Sequence, residues 1–156
     1  MKILTPILFF FLFFSCTSKK SPAIIDRSSE KMNLLATDKA FSDLSEKSGM
    51  KNAFLEYIDS NGVLLKPNQM PIIGANAIDY LIQANDTDFI LKWQPQHAVV
   101  SKSADLGYTY GVYALQSKTK DSVLYGTYVS IWKKQEDGKW KFVLDSGNEG
   151  VGDENP

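Results

Sequence analysis

The chain has 156 residues, 17 basic and 18 acidic side chains and a net charge of −1. It therefore lacks the Lys and Arg excess that a nucleic-acid partner would want. One cysteine and one histidine exclude an internal disulfide and leave too few ligands for a transition-metal centre, and neither a Gly-x-Ser-x-Gly elbow nor a phosphate-cradling glycine loop points to a cofactor.

At the N-terminus, Lys2 supplies a positive start and Ile3 to Phe14 is apolar except for Thr5 and Pro6. The run is shorter than the roughly 20 apolar residues of a membrane-spanning helix and has the length of a signal-peptide core. Ser15-Cys16 closes it. The arrangement resembles a bacterial lipobox of the phenylalanine-rich Bacteroidetes type, although Phe13 and Phe14 stand where Leu and a small residue are usual. The resemblance implies a leader over 1–15, a lipidated Cys16 and a membrane anchor. Lipidation also accounts for an exported cysteine with no partner in the chain. The alternative is an ordinary cleaved signal followed by an incidental cysteine. Residues 16–30 are polar and aperiodic and read as a tether. The start "CTSKKS" lacks the acidic cluster of surface-exported lipoproteins of that group, which implies a domain facing the periplasm.

The spacing of Leu34, Leu35, Phe41 and Leu44 predicts a helix over 31–48, stopped by Gly49. Residues 51–58 read as a second short helix, and Asn61-Gly62 as a turn. Residues 63–67 read as a strand ended by Pro67, and 75–84 as a third helix. From Asp88 the texture is β. One long strand is expected to bend at Gln94-Pro95. Two aromatic strands follow over 106–117 and 122–135, then a hairpin turn centred on Asp137-Gly138 and a last strand over 140–144. Helices followed by antiparallel strands argue for one α+β domain over 31–150 with a short tail over 151–156.

The segments "DKAF", "GMKNAFLEYIDSNGVLLKP", "PIIGANAI", "LKWQP", "LGYTYGVY", "GTYVSIWKKQEDGKWK" and "LDSGN" come in that order. Together they resemble the nuclear transport factor 2-like superfamily, and within it the domain-of-unknown-function 4440 / SnoaL-like branch, over about residues 33 to 148. The resemblance implies three N-terminal helices packed on a curved antiparallel sheet. It also implies a cone with an apolar pocket and a homodimer through the sheet face turned away from the helices.

Carboxylates among aromatics are the remaining chemistry. Helical geometry puts Asp38 on the face of Leu34 and Phe41, so it is either a carboxylate looking into the cone or a helix-surface residue at the margin of the stripe. A two-residue turn at Asp137-Gly138 would pair Trp132 with Val143 and Ser130 with Asp145. Tyr128, Ser130, Trp132, Val143 and Asp145 then share one face, and Val129, Ile131, Phe142 and Leu144 the other. The first face has the mixed texture of a ligand pocket. Asp145 therefore faces the pocket, or else caps the strand end. Tyr108 and Tyr110 fall on one face of their strand and Tyr113 on the other. His97, beside a proline bend, reads as a structural or solvated residue. The candidate ligand-binding set is Asp38, Tyr110, Tyr128, Ser130, Trp132 and Asp145, and the catalytic candidates are Asp145, Asp38 and Tyr128.

Three functions fit. The first is a tethered cone that binds a small apolar or amphipathic molecule without catalysis. The second, which the superfamily resemblance implies, is an enzyme like the ketosteroid isomerases and polyketide cyclases, with Asp145 or Asp38 as base and Tyr128 or Tyr110 as donor. The third is an association domain docking another envelope protein. Fold alone does not choose among them.

Overall fold

The computed structural model describes residues 26–151. The expected leader, the lipidation site Cys16 and most of the expected tether lie outside the described residues, as does all but the first residue of the tail. Helix α1 (Arg27–Ser48) begins earlier than Lys31 because Asp26 caps it, its carboxylate accepting from the backbone N–H groups of Ser28 and Ser29. It stops at Gly49, whose φ of +94° suits a residue without Cβ and whose N–H reaches Ser45 O at 3.0 Å. Helix α2 (Met50–Tyr57) follows at once.

The expected turn at Asn61-Gly62 is instead part of strand β1 (Ile58–Leu65). Gly62 is needed there for space, since a Cβ would lie 2.5 Å from Ile58 Cγ1. Ile58, expected to close α2, starts this strand. A two-residue strand β2 (Ile72–Ile73), missed by the periodicity, pairs with Val63 and Leu64. Helix α3 (Ala75–Gln83) and strands β3 (Phe89–Val100), β4 (Leu106–Ser117), β5 (Val123–Lys134) and β6 (Trp140–Glu149) complete the domain.

The six strands form one curved sheet in the order β2-β1-β6-β5-β4-β3, with the helices packed against it. All neighbours are antiparallel except β1 and β6, which run parallel. The register of β3 against β4 shifts between Pro95 and His97, placing the irregularity at the expected proline bend.

β3 is an edge strand, and α1 satisfies three of its outward backbone groups. Ser42 Oγ donates to Trp93 O at 2.7 Å and accepts from Trp93 N at 2.8 Å, while Ser45 Oγ donates to Leu91 O at 2.7 Å. A helix carrying buried serines thus covers the edge and keeps it from pairing with other chains. The core centres on Phe41, whose ring lies 4.5 Å from Trp93, 4.8 Å from Phe54 and 5.6 Å from Phe142 by centroid. Gly107 lets α1 approach the sheet, since a Cβ there would meet Leu34 Cδ2 at 2.7 Å. No helix among the described residues is long and apolar enough to cross a membrane.

Candidate functional site

The β5–β6 hairpin sets the site. Its turn differs from the expected two-residue form: Gln135 N–H donates to Lys139 O at 2.7 Å and Gly138 N–H to Gln135 O at 3.0 Å. Three residues therefore form the loop, with Gly138 at φ +84° closing it as a bulge. Trp132 consequently pairs with Phe142 rather than Val143. A second bulge between Ile131 and Trp132 then restores the register, so that Ser130 pairs with Asp145. Phe142, expected on the face opposite Trp132, is fully buried beside it.

A cavity of about 250 Å³ opens inside the sheet. Its walls are Met50 and Phe54 from α2, Leu91 and Trp93 from β3, Tyr113 and Leu115 from β4, Tyr128 from β5, and Asp145 and Gly147 from β6. Lys66, Pro67, Phe89 and Glu149 complete the lining. Glycines on β5 and β6 make room for the Tyr113 ring of β4. A Cβ on Gly126 would sit 2.4 Å from Tyr113 Cζ, so the Tyr113 ring lies flat over that strand.

Asp145 is half-buried in this wall and accepts from Ser130 Oγ at 2.6 Å. Burial pushes its carboxyl up to about 6, partly opposed by the Ser130 hydrogen bond and the Lys66 charge, with Asp38 adding to the rise. Asp38 lies deeper, fully buried and outside the cavity lining. It accepts from Trp93 Nε1 at 2.8 Å and from Tyr128 OH at 2.7 Å. Burial raises it above the carboxylate range, against the donors Trp93, Tyr128 and Thr109. The Tyr128 hydroxyl is held far above the ordinary tyrosine range, by burial first and then by Asp38, so it keeps its proton and directs it to Asp38.

Of the residues singled out by sequence, Asp145 and Tyr128 line the cavity and Ser130 supports Asp145 from below. Trp132 is fully buried, with its Nε1 donating to Thr109 Oγ1 at 2.8 Å, and does not reach the cavity. Tyr110 points the wrong way: it is 43% exposed on the outer sheet face, with His97 6.0 Å away by ring centroid. Strand alternation puts Tyr113 inside instead, where its hydroxyl donates to Asn148 O at 3.3 Å. His97 packs near the start of α1, with the Lys31 ammonium 3.5 Å from its Nε2. Sequence reasoning missed Tyr113, Phe54 and Lys66 as wall residues. The small residues at 107, 109 and 111 were the available signal, since they mark the face of β4 that the other elements approach.

Among the described residues no group of three His, Cys, Asp or Glu side chains could hold a metal ion. Asp145 can accept a hydrogen bond or a proton from a bound molecule. The Asp38–Tyr128 pair is turned inward, so Asp145, Asp38 and Tyr128 do not converge on one reacting atom.

No family model matches the sequence, and no curated protein sequence matches it. Solved structures do resemble it. A cystatin-like domain of unknown function from Nostoc punctiforme is 12% identical with a TM-score of 0.64, covering 80% of each chain. A nuclear transport factor 2-like superfamily protein from Salmonella enterica serovar Typhimurium is 10% identical with a TM-score of 0.60, covering 82% of this chain and 99% of that one. A ketosteroid isomerase-like protein from Erwinia carotovora atroseptica is 14% identical with a TM-score of 0.56, covering 76% and 97%. At such identities the likeness speaks for architecture alone. The described domain has the α+β fold of nuclear transport factor 2-like, cystatin-like proteins.

Proposed function

We propose that this chain is a periplasmic lipoprotein, anchored through Cys16, whose cone-shaped cavity binds a small apolar or amphipathic molecule without catalysis. One observation carries the binding reading: the cavity is walled mainly by aromatic and aliphatic side chains, with Asp145 as the carboxylate set into its wall and Glu149 exposed at its edge. The lipobox-like start supports the anchor. The 4440 / SnoaL-like branch remains the narrower family reading.

A second reading has its own support. A carboxyl pushed up to about 6 in an apolar wall suits a general base, and the ketosteroid isomerase-like neighbour has the same fold. On that reading Asp145 takes the proton, and Asp38 acts only through Tyr128 and Trp93. The outer sheet face carries Val99, Leu106, Tyr108 and Tyr110, each 38–46% exposed, and we place a homodimer contact there. Docking of another envelope protein would use the same face.

Native mass spectrometry of the full chain extracted from the membranes of its own host tests the proposal. The expected spectrum shows a covalent lipid increment on Cys16, a dimer, and a non-covalent small-molecule increment that is lost in a cavity-filling Leu115→Trp variant. A chain of unmodified mass with no adduct in either form would contradict it.

A further inference from the structure

We propose that the molecule held in this cavity is a compact hydrophobic amine, bound as its ammonium ion between Asp145 and the surrounding ring faces. The inference rests on the binding reading above and specifies its ligand. The wall aromatics have their polar atoms committed elsewhere. Trp93 Nε1 and Tyr128 OH both donate to Asp38, at 2.8 and 2.7 Å, and Tyr113 OH donates to Asn148 O at 3.3 Å. What these three side chains and Phe54 present to a ligand is therefore ring carbon, whose negative faces attract a cation.

The charges around the cavity point the same way. Asp145 and Glu149 face one cation, Lys66, leaving one net negative charge in the lining. Lys66 sits 5.9 Å from the centre of the Phe54 ring, so the wall already accommodates one ammonium against an aromatic face. An ionised carboxylate only accepts hydrogen bonds, and an ammonium only donates them. A carboxylic acid would instead meet two carboxylates. A ketone could accept only from Lys66, whose charge Asp145 already draws, and would gain nothing from the ring faces. An alcohol could donate to Asp145 but would gain nothing from the ring faces.

The charged and titratable groups around Asp145 are Lys66 just after β1, Asp38 on α1, Tyr113 on β4, Tyr128 on β5 and Glu149 on β6. With the Asp145 carboxyl near 6, an ammonium should bind about tenfold more weakly at pH 5.0 than at pH 7.5, because roughly nine-tenths of the carboxylate is then protonated.

Isothermal titration of the full-length protein in detergent with 2-phenylethylamine, 2-phenylethanol and 3-phenylpropionate separates the cases. The amine should bind at least about tenfold more tightly than either analogue at pH 7.5, with the pH dependence just given. Asp145→Asn should cost the amine about tenfold or more and leave the alcohol within about twofold. The wild-type pH dependence keeps the test decisive if that variant folds poorly. Alcohol or acid binding as tight as the amine, or amine binding independent of pH, would overturn the amine inference and leave the cavity reading standing. Failure of all three probes to bind would overturn both.

Discussion

Asp38→Ala is expected to lower the unfolding free energy by about 2–4 kcal/mol, read from urea unfolding of the purified domain. The substitution removes the acceptor of two buried donors, Trp93 Nε1–H and Tyr128 O–H. Each orphaned donor costs about 1–3 kcal/mol, and relief from burying a carboxyl offsets part of the sum. Asp38→Asn should cost less, because its amide oxygen can still accept from Trp93 and its amide N–H can donate to the Tyr128 oxygen. A double-mutant cycle with Tyr128→Phe should show coupling, since the phenylalanine leaves nothing to orphan. A loss under about 1 kcal/mol in Asp38→Ala would show that the two donors find other partners. The effect would extend to the ligand, because the side chains that Asp38 holds are two walls of the cavity.

Phe41→Ala should cost about 3–5 kcal/mol, as expected for deletion of a large buried ring that its surroundings cannot refill. Phe41 is 1% exposed, and its ring contacts Phe54, Tyr57, Trp93, Trp132 and Phe142 at centroid distances of 4.5–6.0 Å. Those five come from α2, β3, β5 and β6, so one ring joins most of the elements around the core. Phe41→Leu should cost less, since it keeps much of the volume. Thermal and urea unfolding of the two variants would check the order. Equal losses would mean that the volume leucine keeps recovers nothing and that the ring contacts carry the whole effect.

The site was legible where strand parity decides and illegible where an extra residue enters. A two-residue turn pairs Ser130 with Asp145. The true loop has three residues and the ladder a bulge, and the two shifts cancel only beyond Ile131. Nearer the turn nothing cancels, which is why Phe142 is found inside. A bulge leaves no period in the sequence that could announce it. Asp38 was legible as a carboxylate on the buried face of α1. That it stops short of the cavity depends on Trp93 and Tyr128, residues 55 and 90 positions away. Tyr110 and Tyr113 could be assigned to opposite faces by alternation. In the sequence, only the small residues at 107, 109 and 111 hint at which face is inward, and tertiary packing settles it. Gly62 invited a turn, but the helix–strand junction needed its missing Cβ instead.

The central claim is that Asp145 belongs to the cavity wall and not to a solvated strand end. Carbon-detected NMR titration of its side-chain carboxyl measures this directly. The midpoint should fall near 6, against an ordinary value of 3.8. The folded state then holds the proton more tightly than the unfolded chain does. Asp145 therefore contributes stability that is fully present below pH 3.8 and is lost as pH rises through about 6. The Asp145 share of the loss should be of order 1–3 kcal/mol, and Asp145→Asn should remove that share and leave only what Asp38 adds in the same direction. A midpoint at or below 4, with stability unchanged across that window, would place Asp145 in solvent and contradict the account.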